Sequence, residues 1–203
     1  MERGGNVLSG TYLHRGEAMN RNVEVELAKP VVFIGEAPSR QHPRQRIPQR
    51  PERSSRRIIS MLGIPWWQFR GRFGWVNLLP RWPGKQGKGD AFNEEAALIE
   101  AQTIVDHLWG KRGSTVLFLL GLRVAEAFGV SRAFLDGSVY RMAGGEATYI
   151  TFPHPSGASR WWNDKKNREA AAALMRRWMV ESGEWPAKEL ERTIERHGWK
   201  RVA

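Results

Sequence analysis

No cysteine occurs in the 203 residues of this chain. A disulfide framework is therefore excluded, and the cytoplasm is the expected compartment. Long apolar runs are also missing. No stretch approaches the ~20 residues of a membrane span, and the opening MERGGNVLSG lacks the apolar core of a signal peptide. No membrane association is expected. Internal repeats are absent, and acid is scarce relative to base: 21 Asp and Glu against 32 Lys and Arg, a net charge of +11. Such an excess makes a polyanion the first partner to consider, although it says nothing about fold. Apolar content of 41% and charged content of 26% are those of a globular domain. Residues 1–22 mix Gly, Asn, Arg and Glu without periodicity and read as a flexible arm; residues 23–203 read as one domain.

The domain is organised around Pro30 to Ser39, PVVFIGEAPS. Val31-Val32-Phe33-Ile34 is a short, continuously apolar run rich in β-branched residues, the pattern of a strand buried on both faces. Gly35 ends it and Pro38 stops the turn from continuing as a strand. Glu36 is thereby delivered to the carboxyl end of a central strand, where open α/β sheets place their ligand crevices. A second β-branched and aromatic run, Thr148 to Arg160 (TYITFPHPSGASR), is broken by two prolines and ends in a small-residue turn.

GEAPS after the first strand and HPSGAS after the later one resemble the two active-site motifs of the uracil-DNA glycosylase superfamily. FGWVNLL, Phe73 to Leu79, is similar to that superfamily's strand ending in a base-reading asparagine. VLFLLGLRVAEAFG, Val116 to Gly129, is similar to the strand–Gly–helix segment of its iron–sulfur members. The four segments occur in the family's order between Pro30 and Arg160. Without cysteine this chain cannot hold the cluster of those members, so the resemblance is to a cluster-free, divergent branch.

The remaining elements follow from periodicity. Val23, Val25 and Leu27 alternate with Glu24, Glu26 and Ala28, which predicts a short edge strand. Arg40, Arg44, Arg46, Arg50, Arg53, Arg56 and Arg57 form a proline-interrupted basic run, with a helix expected from about Glu52 to Leu62. Trp66, Trp67 and Phe69 stand beside Arg70 and Arg72, as core or as a stacking surface for bases. Pro80 to Gly89 reads as a mobile basic loop. Asp90 is expected to cap a helix burying Ala97, Leu98, Ala101, Val105, Leu108 and Trp109. A strand over 115–120 and a short helix over 123–128 closed by Gly129 follow, then a strand pair around Gly144-Gly145. Asn163 or Asp164 is expected to cap a long helix to Ser182 with Ala171, Leu174, Met175 and Trp178 inward, before a last helix over 186–197. Alternating strands and helices predict a three-layer α/β/α sandwich with a mostly parallel sheet.

The resemblance implies a monofunctional DNA glycosylase acting on uracil or another altered pyrimidine in duplex or single-stranded DNA. It implies Glu36 as the acid that orients water and stabilises the sugar cation, and His154 as the group that stabilises the departing base. Asn77 would read the pyrimidine edge, with Phe73 or Trp75 stacked on the extruded base. Ser39 stands where relatives carry glycine or a bulky tyrosine and is expected to open the pocket beside pyrimidine C5. Arg40 and Arg44, Arg46, Arg81 and Lys85 are expected on phosphates. Ser156, Gly157, Ser159 and Arg160 of the second motif join them. Ala158 replaces the family's wedging leucine, leaving Arg160, Trp161 or Trp162 for that task. No metal or other cofactor is expected, and the chain is expected to be monomeric. Two rival readings are a basic DNA-binding protein that kept the fold and lost the chemistry, and an enzyme of modified-base metabolism.

Overall fold

The computed structural model describes residues 20–183, apart from Lys88, 110–112, 143–144 and 157–158. Helix α1 (Arg21–Leu27) leads into β1 (Val31–Gly35), and helices α2 (Arg53–Leu62) and α3 (Trp66–Arg72) precede β2 (Gly74–Asn77). A two-residue ribbon, β3 (Lys85–Gln86) and β4 (Gly89–Asp90), comes before helix α4 (Glu94–Trp109). Strand β5 (Gly113–Leu120), helix α5 (Leu122–Ala127), strands β6 (Gly137–Met142) and β7 (Gly145–Phe152), a 3₁₀ turn (Arg160–Asn163) and helix α6 (Lys165–Glu181) complete the described fold.

The main sheet runs β2-β1-β5-β7-β6. Its first four strands are parallel and β6 pairs antiparallel with β7. Both faces are covered, which explains why the central strands read as unbroken apolar runs. Val32, Ile34, Val76, Leu117 and Leu119 pack on one side with Val23 and Leu27 of α1 and with Ala97, Ala101, Ile104 and Leu108 of α4. Val31, Phe33, Phe118, Ile150 and Phe152 pack on the other with α2, α3 and α6. The three-layer expectation holds.

Several local expectations are corrected. The segment Val23 to Leu27 is helical. VEVEL satisfies a period of two, yet Val23 and Leu27 also lie one turn apart, and Asn20 caps the helix by accepting from the Asn22 N–H at 2.9 Å. Glu26 is buried on the same face while Val25 points to solvent. Arg21 and Asn22, read as the end of an arm, open this helix. Asp90 belongs to the ribbon, and Asn93 begins α4 by accepting from the Ala96 N–H at 2.9 Å. On α4, Leu98 and Trp109 face outward, as does Ile99. Trp66 stacks on Phe69 with ring centroids 5.7 Å apart, whereas Trp67 is 71% exposed, so the tryptophan pair divides between core and surface. Asp164 caps α6 by accepting from the Lys166 N–H at 2.8 Å. Its buried face is Ala171, Ala172, Met175 and Met179, with Leu174 and Trp178 only partly covered. The helix expected over 186–197 lies outside the described residues.

Candidate active site

In this strand order β1 is joined forward to β2 on one side and pairs with β5 on the other. The chain reverses its direction of growth there, and such a switch point opens a crevice at the strands' carboxyl ends. A pocket occupies that crevice. Gly35 and Glu36 come to it from β1, Trp75 and Asn77 from β2, Leu120 from β5 and His154 from the segment after β7. Glu52, Ser54 and Ser55, at the start of α2, form its remaining polar wall.

Glu36 is held by its backbone. Past Asn77, the Leu78 N–H donates to the Gly35 carbonyl at 2.7 Å and the Leu79 N–H to the Glu36 carbonyl at 3.0 Å, which extends the pairing of β1 and β2 beyond the strands. The carboxylate accepts from Arg123 Nη1 at 3.4 Å. Burial raises its pKa above the ordinary glutamate value; Arg123 opposes that shift and Asp90 adds to it. Arg123 is itself placed by the Asp90 carbonyl at 3.4 Å and by the Phe92 ring, 5.5 Å below its guanidinium carbon. A carboxylate whose pKa is raised by burial is a stronger proton acceptor than a solvated one.

Asn77 is fixed from three directions. Its N–H donates to the Arg46 carbonyl at 2.8 Å, while Arg46 Nε donates to the Asn77 carbonyl at 3.0 Å. Arg46 Nη2 reaches the Leu78 carbonyl at 3.2 Å and Glu100 of α4 at 2.7 Å. At the side chain, the Trp75 indole N–H donates to Asn77 Oδ1 at 3.4 Å. The side-chain amide keeps one donor group and a second lone pair for a ligand. Gly35 lies directly opposite Asn77, and a β-carbon there would overlap the amide oxygen. Glycine is required here by space and not by backbone angle.

His154 sits between two buried prolines. Burial holds its pKa below the usual histidine value, so the ring is neutral at physiological pH. Nδ1 accepts from the Ser156 N–H at 3.2 Å, which puts the ring proton on Nε2. Trp162 Nε1 donates to the His154 carbonyl at 2.8 Å, and Arg57 donates to the Ser156 carbonyl at 3.3 Å while lying 5.3 Å over the Trp162 ring. Gly121, with a left-handed φ of 109°, lets β5 pass beneath the imidazole.

The pocket thus assembles Glu36, Asn77 and His154 from segments far apart in sequence. A match to the model of the uracil DNA glycosylase superfamily covers residues 24–176. The chain belongs to that superfamily. Comparison with curated proteins gives no match. Members of the superfamily are DNA glycosylases, and DNA is the substrate polymer that membership brings. Among the described residues, no helix is long and apolar enough to cross a membrane, and no group of three His, Cys, Asp or Glu side chains is arranged to hold a metal ion.

Other anticipated site residues in this superfamily member lie elsewhere. Phe73 is fully buried among Phe33 and Phe69, and Trp75 lines the pocket in its place. The reason is distance: Phe73 precedes Asn77 by four residues, about 13 Å down an extended chain and away from the crevice. Ser39 does not line the pocket; its hydroxyl donates to Glu52 Oε1 at 3.2 Å from behind. Arg46 is turned inward, onto the Asn77 and Leu78 carbonyls and Glu100. Arg40, Arg44, Arg81 and Arg160 are exposed, and Lys85 forms a surface ion pair with Asp90 at 2.7 Å. Ser159 precedes the 3₁₀ turn, Ser156 orients His154, and Gly157 and Ala158 lie outside the described residues. Glu52 and Arg123 were missed. A glutamate beginning a predicted helix was a signal for the first; nothing local marks the second, which meets Glu36 across 87 residues of chain.

These placements separate two kinds of arginine by experiment. Replacing Arg40 and Arg44 with alanine is expected to reduce the log–log salt slope of DNA binding by about two, near 0.9 for each duplex phosphate neutralised. Arg46→Ala is expected to leave the slope unchanged while lowering the melting temperature and the rate of base release. Filter-binding titrations over a salt series, with a thermal melt of each variant, check both. A slope that falls equally in Arg46→Ala would return that residue to the DNA surface.

Proposed function

We propose that this protein is a monofunctional DNA glycosylase that turns uracil or a C5-modified pyrimidine out of DNA and hydrolyses its N-glycosidic bond, leaving an abasic site. The observation that carries the reading is the convergence of Glu36, Asn77 and a neutral His154 on one pocket at the switch point of the sheet. Cleavage builds positive charge on the sugar and negative charge on the base. The ionised Glu36 balances the first, orients the water whose oxygen bonds C1′ as the C1′–N bond breaks, and takes the proton that water gives up. The electron pair of that bond passes to the base, and His154 Nε2–H donates to the base oxygen that gains charge. A neutral donor at that point avoids the cost of a buried imidazolium. Trp75 lines the pocket beside the flipped base, and Asn77 offers its amide to the base edge. Exposed Arg40, Arg44, Arg81 and Arg160 hold the phosphates on either side.

A C5 substituent is accommodated because no bulky side chain follows the motif proline; Ser39 is drawn away by Glu52. The protein works as a cytoplasmic monomer without a metal, in repair or in defence against modified foreign DNA. The test is mass spectrometry of the bases released from oligonucleotides carrying uracil and a panel of C5-modified pyrimidines. Free base together with an abasic strand is expected. Tight DNA binding with no base released from any member would leave a DNA-binding protein that has lost its chemistry.

A further inference from the structure

The pocket contains a second carboxylate for which the mechanism above has no use. Glu52 precedes α2 and forms a reciprocal capping arrangement with Ser55, whose hydroxyl accepts from the Glu52 N–H at 2.8 Å. A cap alone does not require this residue, because serine, threonine, aspartate and asparagine serve that position better than glutamate. Nor does it require a hydroxyl aimed at the carboxylate from outside the helix. Ser39, in the turn after β1, supplies one at 3.2 Å and ties the Glu52 side chain to the loop that carries Glu36. The carboxylate is therefore oriented by the β1 turn and by the helix start together, and Glu52 lines the cavity that holds Asn77 and His154.

We infer that Glu52 is a base-reading residue that selects pyrimidines presenting a hydrogen-bond donor, an exocyclic amine or a hydroxyl, at the edge it meets. This rests on the glycosylase reading and goes beyond it by assigning the substrate class. An ionised carboxylate only accepts hydrogen bonds. Set against the carbonyl oxygen of plain uracil it is repelled, and it loses water without gaining a partner. Set against an N–H or O–H it makes a charge-assisted bond, stronger than a neutral one. Asn77 adds a side-chain amide beside it, whose NH2 can donate while Trp75 Nε1 occupies one lone pair of its oxygen. The edge the pocket suits thus carries a donor toward Glu52 and an acceptor toward Asn77. Rejection of a base lacking the donor is then far stronger than steric exclusion of a methyl group allows.

The experiment compares base release by the parent chain and by Glu52→Gln from four duplexes. Their targets are uracil, 5-hydroxymethyluracil (hydroxyl only), 5-methylcytosine (amine only) and 5-hydroxymethylcytosine (both). Glutamine keeps an oxygen for the Ser39 hydroxyl and the helix start but adds a donor and removes the charge. The parent is expected to prefer a donor-bearing base over uracil, and the favoured arm identifies amine or hydroxyl as the group read. In Glu52→Gln that preference, read as the ratio of each donor-bearing base to uracil, should fall by about 10- to 100-fold, the worth of one bond to a charged group. Ser39→Ala, which leaves the carboxylate held by the helix start alone, should move the ratio the same way by a smaller factor and serves if Glu52→Gln melts early. An unchanged ratio in folded variants, or an equal loss on all four bases, overturns the assignment and leaves the glycosylase reading standing. A parent that releases no base from any duplex sinks both.

Discussion

Glu36→Gln is expected to slow base release by ~10²–10⁴-fold, the range for positioned acid–base and charge-stabilising groups, with DNA affinity little changed. The substitution keeps the shape of the side chain and removes the charge that balances the sugar cation. Its effect on stability should run the other way. Burial raises the pKa of Glu36, with Arg123 opposing, so the folded state prefers the protonated acid. Ionisation as pH rises above 4.5 therefore costs stability, and the glutamine variant should melt no lower than the parent near neutral pH. The same shift sets the acid limb of kcat/KM above pH 4.5. Arg123→Ala removes the opposing charge and should move that limb further up. Single-turnover base release across a pH series, paired with thermal melts, tests all three. Parental turnover in Glu36→Gln would remove this residue from the mechanism. Glu52, the other carboxylate in the pocket, would be next in line, ahead of Asp164, which caps α6.

The second large effect is expected far from the chemistry. Glu26 is buried on α1 and receives a two-pronged bond from Arg70, at 2.8 and 2.6 Å, together with the Trp75 N–H at 2.9 Å. Lys29 Nζ, 3.4 Å from the same carboxylate, also donates to the Arg70 carbonyl at 2.8 Å and the Phe73 carbonyl at 3.1 Å. One carboxylate thus joins α1, α3 and the start of the strand that carries Trp75 and Asn77. Burial alone would raise its pKa, but the Arg70 and Trp75 hydrogen bonds and the two cations outweigh it and hold the group below the ordinary value. Glu26→Ala removes one partner of a buried pair and should cost about 3 kcal/mol, readable as a fall in the denaturation midpoint. For a lowered carboxyl pKa the stabilisation is present above pH 4.5 and is lost as pH falls through the folded value. The parent should therefore lose more stability on acidification than Glu26→Ala does. Parallel pH profiles for the two proteins would show that the network contributes nothing to folding.

The sign of these two shifts separates the roles of the two acids. Glu26 is compensated and supports the fold; Glu36 is left short of compensation where chemistry is expected.

How much of this was legible in the sequence depends on how far each residue's partner lies along the chain. Val31 to Ile34 and Thr148 to Phe152 were readable because both faces of a parallel sheet are covered and the runs are β-branched and aromatic without a charge. Glu36, Asn77 and His154 were placed correctly at strand ends because their motifs are short and the register is local. Alternation misled at Val23 to Leu27. Five residues satisfy both periods, and the deciding contact, Glu26 with Arg70, spans 44 residues. The inward turn of Arg46 was not legible for a similar reason: Glu100 is 54 residues away, and no local feature distinguishes an arginine that turns inward from its neighbours. Phe73 against Trp75 was a question of height along one strand, which composition does not record. The wall of the pocket at Glu52 depended on where a helix begins in three dimensions, although its start in sequence was anticipated.

The bond from Trp162 to the His154 carbonyl has a consequence for observing the protein at work. An indole proton held at 2.8 Å beside a cationic guanidinium face is expected to resonate apart from solvent-exposed indoles and to exchange slowly. Its nitrogen-15 signal therefore reports on the backbone of the histidine loop without any label near the pocket. Titration with DNA should shift that resonance if the loop moves to meet the strand, and leave it in place if the loop is already set before the substrate arrives.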